Sequence, residues 1–182
     1  EGGDEGGNEG GNEGGNEGGE VTPPAEGGDE GGNPGDVQSS VWSYTFVKDD
    51  LGKDGSPVES VTLNGISWDF SMVGSTYLGF ESSNSARGLQ MGKSKQPASS
   101  ITLSTEGFTG TVKKIVVNTC GASKTDATLV VKVGDVEFGT SANMTTVSTE
   151  YTFEGSESGK IELKWTLTTS AVYIKSISVY TE

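Results

Sequence analysis

The chain has no histidine and a single cysteine, Cys120, among 182 residues. Without histidine there is no Ser-His-Asp or Cys-His catalytic pair, and zinc loses its commonest nitrogen ligand. One cysteine allows neither an internal disulfide nor a CxxC metal site. Basic residues are few, 12 against 26 acidic ones, for a net charge of −14. An acidic chain repels a phosphate backbone, so no nucleic acid is expected as a partner. Long apolar runs are missing as well. None approaches the roughly 18 residues of a membrane-spanning helix, so no transmembrane segment is expected.

Two different polymers are joined in one chain. Residues 1–36 hold fifteen of the 29 glycines, three of the five prolines and eleven acidic residues, with no basic one. The unit Glu-Gly-Gly-Asn or Glu-Gly-Gly-Asp recurs, as at Glu5–Asn8, Glu9–Asn12 and Glu26–Asp29. Such a segment buries too little apolar area to offset about 1–2 kcal/mol per residue of backbone ordering. It is expected to be a disordered linker, stretched by its own charge. Subtracting its eleven acids from 26 leaves 15 against 12 basic residues in 37–182, a net charge of −3. The acidity therefore belongs mainly to the linker. Residues 37–182 are enough for one domain with a core of normal size.

In that second part, alternation dominates. Trp42, Tyr44 and Phe46 share one face of a short run; Ile161, Leu163, Trp165 and Leu167 alternate with Glu162, Lys164 and Thr166. A period of two marks half-buried strands. Asn64-Gly65 between two such runs predicts a type I′ hairpin, and Gly134-Asp135 a second hairpin turn. Further strands are expected near Tyr77–Glu81, Gly88–Met91, Ser100–Ser104, Val112–Thr119, Val147–Phe153 and Ala171–Tyr180. Ten or eleven short strands with frequent turn signals predict an all-β fold: an antiparallel β-sandwich, jelly-roll-like, with a closed barrel as the alternative.

Several stretches resemble a known module. They are Arg87–Ser94, Pro97–Leu103, Lys114–Asn118, Tyr151–Phe153, Ser158–Leu163 and, most typical, Ala171-Val172-Tyr173-Ile174-Lys175-Ser176-Ile177-Ser178-Val179. In this order, over about residues 75 to 181, they resemble a jelly-roll β-sandwich module of secreted or lipid-anchored surface proteins of Bacteroides-type gut bacteria. The resemblance implies a sandwich related in shape to carbohydrate-binding modules. It implies no ligand and no catalytic residue set. It also implies an extracellular or cell-surface address. The acidic start at Glu1 looks like the export signal behind a lipidated cysteine, so a lipid anchor upstream of Glu1 is an expectation; a plain secreted linker is the alternative.

Candidate chemistry follows from what remains. Sugars need flat aromatic faces and planar polar groups. Trp42, Trp68, Trp165, Tyr77 and Tyr173 are the platforms, each with core packing as the plainer reading. Trp68 stands out, beside Asp69 and just after the Asn64-Gly65 turn. Arg87 is the domain's one arginine, whose fork suits a sugar hydroxyl or carboxylate, or else a structural ion pair. Gln90 falls on the opposite face of a regular strand from Arg87, so the two share a site only if Gly88 re-aims one of them. The expected ligand-binding set is thus Trp42, Trp68, Asp69, Tyr77, Arg87 and Gln90.

For metal, Asp49, Asp50 and Asp54 gather in one loop. Gly52 and Val61 occupy positions where an EF-hand needs oxygen ligands, so only a looser structural calcium site remains as a candidate cofactor. Catalysis is not expected. The function indicated is a non-catalytic module on an acidic tether, with carbohydrate as partner. The first alternative is a structural or adhesion domain binding a surface protein. The second is a glycosidase using two carboxylates, with Asp69 and Glu81 as its candidates. Buried tryptophans would favour the structural alternative.

Overall fold

The computed structural model describes residues 39–82 and 86–182. The Gly-rich acidic segment, with its repeat and expected anchor, lies outside the described residues. All regular structure among the described residues is β-strand. In chain order the strands are β1 (Ser40–Thr45), β2 (Gly52–Lys53), β3 (Ser56–Pro57), β4 (Ser60–Leu63), β5 (Ile66–Val73), β6 (Leu78–Glu81) and β7 (Gly88–Gly92). Then come β8 (Ser100–Thr105), β9 (Val112–Gly121), β10 (Ala127–Val133), β11 (Val136–Thr140), β12 (Thr149–Glu157), β13 (Ile161–Leu167) and β14 (Ala171–Thr181).

Two six-stranded sheets carry the fold. The first runs β12-β9-β14-β7-β6, with β1 also paired to β14; the second runs β11-β10-β13-β8-β5-β4. Every strand pairing is antiparallel. The expected all-β antiparallel sandwich is the fold. The small hairpin β2–β3 stands apart from both sheets. It falls in the loop read from the sequence as a calcium candidate.

Alternation sets the inner and outer faces. In β13, Ile161, Leu163, Trp165 and Leu167 are buried while Lys164 and Thr166 are exposed. In β9, Ile115 and Val117 point inward, and from β5 Trp68 and Phe70 join them in a single buried cluster fed by both sheets. Burial of this kind contributes about 1.5–3 kcal/mol per large apolar side chain. Asn64 and Gly65 have φ of 44° and 83°, and Leu63 pairs with Ile66, as a type I′ turn requires. At the second hairpin only Gly134 has positive φ (55°), with Val133 opposite Val136. That suits a turn with glycine at its first central position.

One irregularity changes which side chains face outward. In β14, Ile174 pairs with Thr119 and Ser176 with Asn118, so Lys175 is an extra residue opposite β9. A bulge shifts the side-chain phase by one. Tyr173 and Tyr180 lie an odd number of residues apart, yet both face outward.

Candidate functional site

The tryptophans do not form a platform. Trp68 and Trp165 are 0% exposed. Trp68 was expected to meet a ligand; instead strand alternation turns it inward with Phe70 and sends Asp69 to the opposite, outer face of the second sheet. The two neighbours in sequence therefore cannot share a site. Trp42 is half-buried. Its indole N–H donates to the Asn64 carbonyl (3.1 Å), and its ring packs against Trp68 (centroids 5.7 Å) and the edge of Phe108 (5.5 Å). This cluster closes the side of the sandwich between β1 and the β4–β5 hairpin. Trp165 Nε1–H donates to Thr119 Oγ1 at 3.2 Å, whereas buried Trp68 Nε1 has no partner among the described residues.

The aspartates do not assemble a metal site either. Asp50 Oδ2 accepts from the Val47 amide (2.6 Å) and from the Tyr44 hydroxyl (3.0 Å), so this carboxylate braces its own turn. Asp49 is exposed with φ of 70°, and Asp54 is exposed in the β2–β3 turn. No group of three His, Cys, Asp or Glu side chains among the described residues could hold a metal ion. Calcium needs six to eight oxygens, and this set does not fit it. The contact does mark Tyr44. Burial, then the hydrogen bond and the charge of Asp50, push its phenol up to about 12.

Tyr77, Arg87 and Gln90 do come together, on the outer face of the first sheet. Gly79 pairs with Gln90, and Gln90 with Tyr173, so the three sit side by side across β6, β7 and β14. Tyr77 lies across Gly79. A Cβ there would come within 3.0 Å of the tyrosine oxygen and 3.4 Å of Gln90 Oε1, so a glycine is what lets these groups meet. Regular alternation would turn Arg87 to the core. The backbone on both sides of it is left-handed instead, with φ of 42° at Ala86 and 86° at Gly88. Gly88 also packs against β14, where a Cβ would collide with the Ile174 carbonyl. A positive φ for alanine is uncommon, and held strain of this kind gathers at functional positions. The result is that the Arg87 guanidinium lies 3.9 Å above the Tyr173 ring.

Charge organises the rest. Arg87 Nε donates to Glu81 Oε2 at 2.6 Å, with both side chains about 20% exposed. Lys93 Nζ sits 4.0 Å above the Tyr77 ring. Gln90 Nε2 donates to the Gly92 carbonyl (2.9 Å), which fixes the amide. Burial pushes the Tyr173 phenol up, and the Arg87 charge opposes it. Cys120, the register partner of Tyr173, is fully buried on this face, with Ser148 donating to its sulfur at 3.7 Å. Burial raises its pKa as well, so it is an inert filler. Arg87 is thus held in an ion pair with Glu81 and over the Tyr173 ring at once. Tyr173 itself is 6% exposed beneath Arg87, so what the face offers a ligand is the Arg87 fork, the Gln90 amide, the Tyr77 phenol and the Lys93 ammonium.

The glycosidase pair is not formed. Asp69 and Glu81 lie on the outer faces of opposite sheets. Sequence reasoning also missed Gly79, Lys93 and Lys175. For Gly79 a glycine inside a predicted strand was the available signal, because it marks close approach or a bulge.

No protein-family model and no curated protein matches the chain. Similar solved structures include the carbohydrate-binding module CBM36 in complex with calcium and xylotriose, at 20% identity and a TM-score of 0.38, covering 60% of this chain and 98% of that one. Another is the CBM36-1 domain of a multidomain xylanase from the hindgut metagenome of Trinervitermes trinervoides, at 14% identity and a TM-score of 0.39, covering 62% and 95%. A third is a family two carbohydrate esterase from Cellvibrio japonicus, at 10% identity and a TM-score of 0.40, covering 80% of this chain and 35% of that one. Overlaps at this level transfer no residue, ligand or metal to this chain.

Proposed function

We propose that the folded domain is a non-catalytic glycan-binding module that works outside the cell. Its site is the outer face of the first sheet around Tyr77, Arg87, Gln90 and Tyr173. The observation that carries this reading is the left-handed backbone at Gly88, which takes Arg87 out of alternation and seats it on Tyr173 beside Gln90. Planar hydrogen-bonding groups fixed over aromatic rings suit sugar hydroxyls. Trp42, Trp68 and Asp69 have no part in it. The acidic Gly-rich segment acts as a tether, raising the local concentration of the module near a surface. A lipid anchor upstream of Glu1 is part of the proposal. Mass spectrometry of the native N-terminus tests it, and an unlipidated start removes it.

Affinity electrophoresis of the full chain in gels holding soluble polysaccharides tests the main reading. Retardation by at least one polymer is expected, with calcium making no difference. Migration unchanged in every gel contradicts it. A second reading has one observation in its favour. With Trp68 and Trp165 sealed and Trp42 half-buried, the domain also fits a structural or adhesion role toward a protein. Unchanged migration would leave that reading standing.

A further inference from the structure

The same outer face carries a third tyrosine with a cation on it. Tyr180 lies under Lys114 Nζ, 3.9 Å from the ring centroid. Its surroundings are concave: Ser39, Lys113, Lys114, Glu154, Tyr180, Thr181 and Glu182 line a groove of about 280 Å³. Lys113 is held there by Glu182 (3.1 Å) and donates to Ser156 Oγ (3.0 Å). Only the bulge at Lys175 makes Tyr173 and Tyr180 share a face. At about 3.3 Å per residue they stand about 20 Å apart along β14, the reach of several sugar rings rather than one or two.

The floor between them is low and mostly polar. Ser176 and Ser178 of β14 lie between Asn118 and Val116 of β9 and Thr45 and Ser43 of β1. Ser43 and Ser178 hydroxyls are 2.9 Å apart. Charges of both signs are interleaved along this face: Arg87, Lys93 and Lys114 against Glu81, Glu150 and Glu154. A polyanion would meet the acids, and the floor offers a protein little apolar surface beyond Val116 and Val41, the latter 56% exposed opposite Tyr180. A neutral chain rich in hydroxyls meets donors and acceptors along the whole track.

From this we infer that the face binds an extended, uncharged polysaccharide segment along β14, gripped at two stations, Tyr77–Arg87–Tyr173 at one end and Lys114–Tyr180 at the other. This rests on the glycan-binding reading and adds its polymer class and minimum length. The second station contributes by effective concentration, because a chain held at the first is already near it.

Full-length protein is run in gels containing arabinoxylan, galactomannan, mixed-linkage β-glucan, polygalacturonate or dextran sulfate. The disaccharide and hexasaccharide of the retaining neutral polymer then compete for binding. The hexasaccharide should bind at least about tenfold more tightly than the disaccharide. Tyr180→Ala should bring the two affinities close together, Tyr180→Phe should restore much of the difference, and Lys164→Ala on the other sheet should leave it unchanged. A thermal melt shows whether each variant is folded. Equal affinity of the two oligosaccharides, or an undiminished difference in Tyr180→Ala, overturns the two-station track and leaves the glycan reading intact. Retention by the two polyanions alone overturns the polymer class. No retention anywhere overturns both.

Discussion

The two outer faces of the sandwich each rest on six strands, yet they carry different things. Through β13, β8 and β5 of the second sheet the register runs without a shift. Its outward positions are side chains such as Ser71, Thr102, Lys164 and Thr166, a plain solvated surface. On the first sheet the outward face holds Tyr77, Tyr173 and Tyr180, each under a cation, together with the bulge at Lys175 and the glycines at 79 and 88. Regular alternation is enough to make a core. On the first sheet the breaks at Gly88 and Lys175 fall beside the cation-capped tyrosines, whereas the second sheet's register shift lies at its edge, between Val131 and Lys132 opposite β11.

The sharpest way to break the comparison is within one strand. Trp165→Ala should destabilise the domain by about 3–5 kcal/mol in chemical denaturation, because it empties a fully buried position. Its neighbour Thr166→Ala on the plain face should stay within about 0.5 kcal/mol. Equal effects would mean that inside and outside have been assigned wrongly. Next in size is Gly88→Val. It needs a left-handed backbone and would drive its side chain into the Ile174 carbonyl, so a loss of about 2 kcal/mol or more is expected. Polysaccharide retention should fall with it, as Arg87 leaves Tyr173. Arg87→Ala should cost stability about 1.5 kcal/mol, since a charge-assisted hydrogen bond between side chains only about 20% exposed is lost. It should nevertheless weaken retention about tenfold. A stability loss without a binding loss would make Arg87 purely structural.

Much of the architecture was legible because it depends on local patterns. The Trp42-Tyr44-Phe46 face, the Ile161–Leu167 alternation and the Asn64-Gly65 turn all have counterparts in the fold. The site was less legible. Trp68 beside Asp69 looked promising, but adjacency along a strand places side chains on opposite faces. Asp49, Asp50 and Asp54 looked like ligands, but Asp50 is engaged by Tyr44 and the backbone, and a short hairpin runs through the loop. The conditional link between Arg87 and Gln90 through Gly88 was readable, although its fulfilment depends on β14 supplying the close contact. The bulge at Lys175 leaves no mark in the sequence, because it is defined by the register of a partner strand more than fifty residues away.

The smallest expected effect concerns pH. Tyr44 has its phenol raised from 10.0 to about 12 in the folded chain, and Tyr151 and Tyr173 are raised too. Folding favours the protonated phenol, so the contribution is complete below pH 10. Above that, the unfolded chain releases its proton first, and stability is lost as pH climbs from about 10 to about 12. Urea midpoints over this range should fall, and Tyr44→Phe should flatten the fall without abolishing it. An unchanged slope would mean that burial and Asp50 do not raise the Tyr44 phenol in the folded chain.

The central claim is that the tyrosine-bearing face, and not the plain one, meets the glycan. Affinity electrophoresis of Arg87→Ala and Tyr77→Ala beside Lys164→Ala and Thr166→Ala tests it most directly. The expected result is retention in the wild type, lost in the first pair and kept in the second. Retention lost only in the second pair, equal in all four variants, or missing in the wild type would contradict it.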